Sequence, residues 1–244
     1  MLMSPISICC PIQTDAIAHA ICHLEAGGYL ISSLPQDDTT HLLLPVPSFP
    51  EGCGYLPTLL DRLPRNVTVY GGFLNIPPLI GYRSVDFLSD PYYLARNAAI
   101  TSECALEIVE NISGHSISGH SVLILGWGRI GKCLGKLLRE KGAQVTIAAR
   151  KDSDLAMMEA LGYESMPLSD LKPDAEFIIN TIPAMVLPQI PDHCHAIELA
   201  SKPGMAGRNI ISALGLPGKM RPAESGKLIA DTFIRLSQNP EVEL

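Results

Sequence analysis

Lysine is missing from the first 131 residues of this 244-residue chain, and charged residues of both signs make up only 18% of it. With a net charge of −7, the chain offers no clustered cationic face for a phosphate backbone, which argues against nucleic acid as a partner. It also has no apolar run of the roughly 18 residues that would span a bilayer, so no membrane association is expected. The opening "MLMSPISICC" lacks a basic segment and reads as a first strand, not as an export signal. Seven cysteines, an odd number, show no Cys-x-x-Cys spacing. They read as reduced, mostly buried thiols of a cytoplasmic protein. His193-Cys194-His195 has ligand-type residues, but neighbours on an extended chain point to opposite sides, and no metal is expected.

What is present is apolar: 47% of the residues are hydrophobic, enough for a sizeable core and, at this length, for two small domains. From Ser121 onward strands alternate with helices. "SVLIL" (121–125), "QVTIAA" (144–149), "EFIINT" (176–181), "AIELA" (196–200) and "NIISA" (209–213) are short and apolar on both faces, as in a parallel sheet covered by helices. Between the first two, Ile130, Cys133, Leu134, Leu137 and Leu138 have the spacing of one helical stripe. The first 96 residues repeat the pattern more weakly, with a helix capped by Thr14 and ended by Gly27-Gly28. "TSECALEIVENI" (101–112) reads as a helix with Thr101 as its N-cap. The expected fold class is α/β: a Rossmann-type doubly wound parallel sheet with a second, smaller N-terminal α/β domain. The expected division is a small substrate or lid domain at 1–96, a connector helix at 97–115, a dinucleotide-binding domain at 116–222, and a C-terminal helix and tail at 223–244.

The sharpest motif is Gly-x-Gly-x-x-Gly at Gly126, Gly128 and Gly131, which follows a strand and opens a helix as the dinucleotide fingerprint requires. Gly126 permits the tight turn, Gly128 lets backbone approach a pyrophosphate, and Gly131 brings helix and strand together. The whole turn, Trp127, Arg129 and Ile130 included, is assigned to the cofactor, with the pyrophosphate on the helix N-terminus. An NAD enzyme places an acid at the end of the second strand to hold the ribose 2′-hydroxyl. Here Arg150 and Lys151 stand there. A guanidinium grips a 2′-phosphate that a carboxylate would repel, so NADP is expected over NAD.

Several stretches together resemble the dipicolinate synthase A family: "NAAITSECAL" (97–106), "LGWGRIG" (125–131), "INTIPAMVL" (179–187), "ELASKPG" (198–204) and "GLPGKMRPAESGKLIA" (215–230). The resemblance implies NADP-dependent oxidation of a dihydro precursor to pyridine-2,6-dicarboxylate, the chelating acid of bacterial spores, in company with the flavoprotein-like dipicolinate synthase B. It also suggests that Thr181, Ile182 and Pro183, with Ala200 on the next strand, lie along the cofactor. The substrate would be a flat dianion, needing cations and N–H donors at the carboxyl ends of strands. Ser201, Lys202 and Pro203 follow one strand; Gly215, Leu216, Pro217, Gly218, Lys219 and Arg221 follow the next. Asn97, Thr101 and Ser102, around the start of the connector helix, could offer another anion-binding helix end. Lys202 is the one candidate for a direct part in catalysis. Two alternatives stay open: an NADP-dependent dehydrogenase of shikimate type, disfavoured by the lack of N-terminal lysine, and a regulatory protein that binds NADP without turnover. A homo-oligomer is expected.

Overall fold

The structure, a computed structural model, describes residues 6–49, 52 and 54–238. In chain order its first elements are β1 (Ser7–Cys9), α1 (Asp15–Ala26), β2 (Leu30–Ser32), β3 (His41–Leu43), α2 (Leu56–Leu60), β4 (Thr68–Gly71) and β5 (Arg83–Asp86). Then come α3 (Pro91–Ile112), β6 (Ser121–Leu125), α4 (Arg129–Glu140), β7 (Gln144–Ala149), α5 (Asp152–Ala160) and β8 (Glu164–Pro167). The last described elements are β9 (Phe177–Asn180), β10 (His195–Glu198), β11 (Ile210–Ser212), α6 (Leu216–Met220) and α7 (Pro222–Gln238). No described helix is long and apolar enough to cross a membrane. The elements form two compact units, Met1–Asn97 with Pro217–Leu244, and Ala98–Leu216. By this division the segment from Pro217 onward, with α7, joins the first unit, where the sequence-based reading set 223–244 apart.

In the first unit five parallel strands run in the order β2-β1-β3-β4-β5, with Leu42, Leu44, Leu56 and Val69 among the core residues. Thr14 caps α1 as expected, its Oγ1 accepting from the N–H of Ile17 at 3.2 Å. β2 and β5 are silent in the sequence because both are edge strands with exposed residues, and so lack the two-faced apolar run of a buried strand. Helix α7 lies against α1, where Gly226 faces Ala16, His19 and Ala20. Further along, Phe233 meets Tyr70 edge-on, with ring centroids 4.8 Å apart, and also packs on His41 and Tyr29. Arg235 pairs with the buried carboxylate of Asp90.

The same Asp90 corrects the reading of α3. Its Oδ2 accepts from the N–H of Tyr93 at 2.8 Å, with Pro91 at the first helical position, where a missing N–H costs nothing. The helix thus starts at Pro91 and not at Thr101. Thr101 and Ser102 lie inside it, buried, and present no helix end to an anion. The local Thr-x-Glu signal loses to an unbroken helical run before it. Ser102 instead has its hydroxyl 2.8 Å from the carbonyl of Ala98 and 3.2 Å from that of Ile130, tying α3 to the start of α4.

The second unit is a six-stranded parallel sheet in the order β11-β10-β9-β6-β7-β8. Counted from its own first strand, β6, its halves diverge on either side of that strand as in a doubly wound Rossmann sheet. β6 is central, with Leu123 paired to Thr146 on one side and Ile178 on the other. Its residues 122–125 are buried. Helix α4 presents Gly131, Leu134, Gly135 and Leu138 to the sheet, while Ile130, Cys133 and Leu137 are only half-buried. The stripe is shifted because glycine lets the helix backbone itself approach. A Cβ on Gly135 would meet Ile147 at 3.1 Å. α5 and β8 are additions to the sequence-based expectation. α5 buries only Met158, and β8 is an exposed edge.

Candidate functional site

In an open α/β sheet the ligand crevice lies beyond the strand carboxyl ends, where the strand order reverses. In the second unit that point is between β6 and β9. Three turns meet its edge: Gly126–Gly128 after β6, Thr181–Pro183 after β9, and Leu199–Gly204 after β10.

The first turn is shaped by its glycines. Gly126 has φ +109°, the region that only glycine enters freely. A Cβ there would also stand 2.5 Å from Thr181 Oγ1 and 2.8 Å from Ile182 Cγ1. Gly131 leaves no room for a Cβ against the carbonyl of Gly126, so helix and turn are in close contact. Gly128 is the reverse case. It is exposed, its backbone is extended at φ −78° and ψ −168°, and a Cβ there would meet nothing within 4 Å. Gly128 is the N-cap of α4 and makes no side-chain cap bond, so the first N–H groups of this helix keep their capacity for an anion. This open, uncapped corner fits a dinucleotide pyrophosphate.

Around it the expected residues fall into place unevenly. Arg129 and Ile130 open α4, Arg129 exposed. The Trp127 side chain is buried and stands edge-on to Tyr163, with centroids 5.4 Å apart and the ammonium of Lys132 at 5.6 Å. The indole thus stiffens the turn, leaving its backbone to face a ligand. Arg150 and Lys151 follow β7 directly, both exposed and without an ion pair among the described residues. The acids Asp152 and Asp154 serve the first turn of α5. Thr181 is committed to β6: its N–H and hydroxyl donate to the carbonyl of Leu125 at 2.9 and 2.8 Å.

The second and third turns are held by two residues absent from the sequence-based candidates. Glu198 ends β10 and is buried. Its Oε1 accepts from Asn180 Nδ2 at 2.7 Å and from the Ala200 N–H at 3.1 Å; its Oε2 accepts from the Gly204 N–H at 2.8 Å. Asn180, fully buried, also donates to the Ile182 carbonyl at 2.9 Å, and its Oδ1 accepts from the Ile182 N–H at 3.0 Å. Gly204 is required there, since a Cβ would meet the carbonyls of Ala184 and Ile182 at 2.6 and 2.8 Å. The N–H of Ala200 is therefore engaged by the protein itself. A lone carboxylate ending an otherwise apolar strand was the available signal. Ser201, Lys202 and Pro203 stand on this clamped turn, all exposed.

The remaining candidates belong to other elements. Gly215, with φ +68°, precedes α6, so Leu216, Pro217, Gly218 and Lys219 form a short helix where a loop was expected. Lys219 and Arg221 belong to the first unit, with Arg221 3.4 Å from Glu224. Asn97 lies on α3 as the last residue of the first stretch of that unit. In the histidine-cysteine run, His195 stacks on Phe177 at 5.3 Å, and Cys194 is buried. In the first unit burial lifts the Cys10 thiol to about 12 and that of Cys9 to about 11, so neither is a ready nucleophile. Cys22 is exposed on α1, and Cys53 lies outside the described residues.

Comparison with known proteins extends this picture. Residues 96–186 match the model of the D-isomer specific 2-hydroxyacid dehydrogenase, NAD binding domain. Dipicolinate synthase A of Bacillus subtilis (strain 168) is 26% identical over 87% of this chain and 82% of its own length. The chain resembles dipicolinate synthase A along most of its length. Two solved structures of dipicolinate synthase A have the same fold. The Bacillus halodurans protein has a TM-score of 0.81 at 23% identity, covering 95% of this chain and 96% of its own. The Bacillus subtilis protein has a TM-score of 0.80 at 20% identity, covering 99% of each chain. The expected fold class holds: a Rossmann unit of NAD-binding type and a second α/β unit. Taken together, the matches indicate a dehydrogenase-type protein with a nicotinamide cofactor.

Proposed function

We propose that this chain is an NADP-dependent oxidoreductase that converts a dihydropyridine dicarboxylate into pyridine-2,6-dicarboxylate, the reaction suggested by its likeness to dipicolinate synthase A. The reading rests on the open corner at Gly128 above the uncapped N–H groups of α4. Those groups and the backbone of Trp127, Arg129, Ile130 and Gly131 would hold the pyrophosphate. Arg150 and Lys151 would take the 2′-phosphate, since no acid stands beside them before Asp152. Thr181, Ile182 and Pro183 would line the nicotinamide side, with Ala200 beneath. When bound, the dinucleotide supplies the hydride acceptor.

The protein's own task is orientation. Loss of one hydride and one proton makes the substrate ring aromatic, which supplies much of the driving force, so positioning the ring suffices for much of the rate. Lys202, exposed on the clamped turn with Ser201 and Pro203, would meet a substrate carboxylate; it is the candidate for direct participation. Asn97, Gly215, Leu216, Pro217, Gly218, Lys219 and Arg221 are the remaining sequence-based candidates for substrate contact. Thr101 and Ser102, buried inside α3, drop out as helix-end donors. The reading extends to dipicolinate synthase B as a partner, a cytoplasmic location in a sporulating cell and a homo-oligomeric state.

The test is an absorbance assay for dipicolinate formed from the dihydro compound with NADP or NAD, with and without a dipicolinate synthase B protein. Dipicolinate formed faster with NADP supports the reading. No dipicolinate under any of these conditions overturns it.

A further inference from the structure

The Glu198 carboxylate sits between two turns, not inside one. On one side Asn180 carries its hold to Ile182; on the other its two oxygens take the N–H groups of Ala200 and Gly204. Beyond Gly204 the same two segments pair again. The N–H groups of Val186 and Leu187 donate to the Gly204 carbonyl at 2.8 and 3.1 Å, Leu187 bridges Met205, and the Ala206 N–H donates to the Leu187 carbonyl at 2.9 Å. Burying a carboxylate is costly unless each oxygen finds donors. Here both do, and two of the donors are backbone groups whose positions define the turn carrying Ser201 and Lys202. An exposed lysine on a loose turn would have to be ordered by each ligand it bound, at a cost in affinity. On a clamped turn that ordering is done by folding.

We infer that Glu198 is a positioning residue: it touches no ligand, and through Ala200 and Gly204 it fixes the Ser201–Lys202 turn against the Thr181–Pro183 turn so that Lys202 meets a substrate carboxylate preformed. This rests on the oxidoreductase reading above for the identity of the ligand. Glu198→Gln keeps the shape but turns an N–H group toward either Gly204 or the Asn180–Ala200 pair, so at least one hold is lost.

Four proteins test it: wild type, Glu198→Gln, Lys202→Ala and the double variant. Each is titrated with NADPH alone and then with pyridine-2,6-dicarboxylate in saturating NADPH, at a temperature where all are folded. Glu198→Gln is expected to weaken dicarboxylate binding about tenfold, the scale of one charge-assisted contact, while NADPH affinity stays within about twofold. Added to Lys202→Ala it is expected to cost nothing further, because partners acting through one another are not additive. An unchanged dicarboxylate affinity, an additive loss, or equal loss of both ligands overturns the inference. If wild type binds no dicarboxylate, the functional reading fails, and amide hydrogen exchange decides the inference. Faster exchange across residues 199–206 in Glu198→Gln, with β6 unchanged, sustains it; unchanged exchange across 199–206 overturns it. Should the glutamine variant not fold, Glu198→Asp, which keeps the charge and shortens the reach, replaces it with the same outcomes.

Discussion

Gly226 of α7 crosses α1 so closely that a Cβ on it would lie 2.6 Å from His19 Cβ and 2.8 Å from the Ala20 nitrogen. Helix backbone has no room to yield there, so Gly226→Val should destabilise the protein by about 1–3 kcal/mol, the usual cost of overpacking. Urea denaturation measures it. A stability equal to wild type would show that α7 does not dock on α1 in this way.

Two glycines of the turn after β6 should separate folding from binding. Gly126→Ala faces both a positive φ and the Thr181 hydroxyl, so it should lower the thermal midpoint. Gly128→Ala faces open space in an ordinary backbone conformation and should leave the midpoint unchanged while weakening NADPH binding. Calorimetry and fluorescence of the single tryptophan, Trp127, read the two effects. Equal NADPH affinity in Gly128→Ala and wild type would place the pyrophosphate elsewhere.

Arg150→Asp should reverse the cofactor preference. Loss of one charge-assisted contact costs about 1.5–3 kcal/mol, roughly ten- to a hundredfold in NADP affinity, and the new carboxylate can accept from the 2′-hydroxyl of NAD. Titrations of both dinucleotides against both proteins check this, and tighter binding of NAD by wild type refutes it.

His41 gives the first unit a pH dependence. It lies half-buried between the rings of Tyr70 and Phe233, each 5.5 Å away, with Thr40 Oγ1 2.7 Å from its Nδ1. Burial, and secondarily the charge of Arg83, pushes its pKa below the usual 6.5. The folded state then binds protons less readily than the unfolded chain, so His41 exerts no penalty well above pH 6.5, and one that grows as pH falls below it. In urea denaturation the stability gap between wild type and His41→Gln should be smaller at pH 5 than at pH 7.5. An equal gap at both would remove His41 as the cause.

Legibility in the sequence follows burial. β6 and β7 are legible to the residue because they are apolar along most of both faces, and the glycine turn because its spacing is short-range. α5 escapes because one buried methionine makes no stripe. The start of α3 is misplaced by ten residues because the cap signal at Thr101 is local, whereas the run before it is held by the Asp90 cap. The Glu198–Asn180 clamp is beyond reach: its partners are 18 residues apart in sequence, and their pairing follows from strand order. The stripe of α7 is legible, but not its partner, since an amphipathic helix reports that a face is covered and not by what.

That partner has a consequence for synthesis. The first unit draws its sheet from residues before 98 and its covering helix from residues after 216. On a ribosome, β1 through β5 emerge long before α7, while residues 98–216 can close their sheet in between. Tyr70 and His41 must therefore wait for Phe233 with one side bare, a surface open to aggregation or to a chaperone. The Rossmann unit folds as an insertion, and the unit that begins first finishes last.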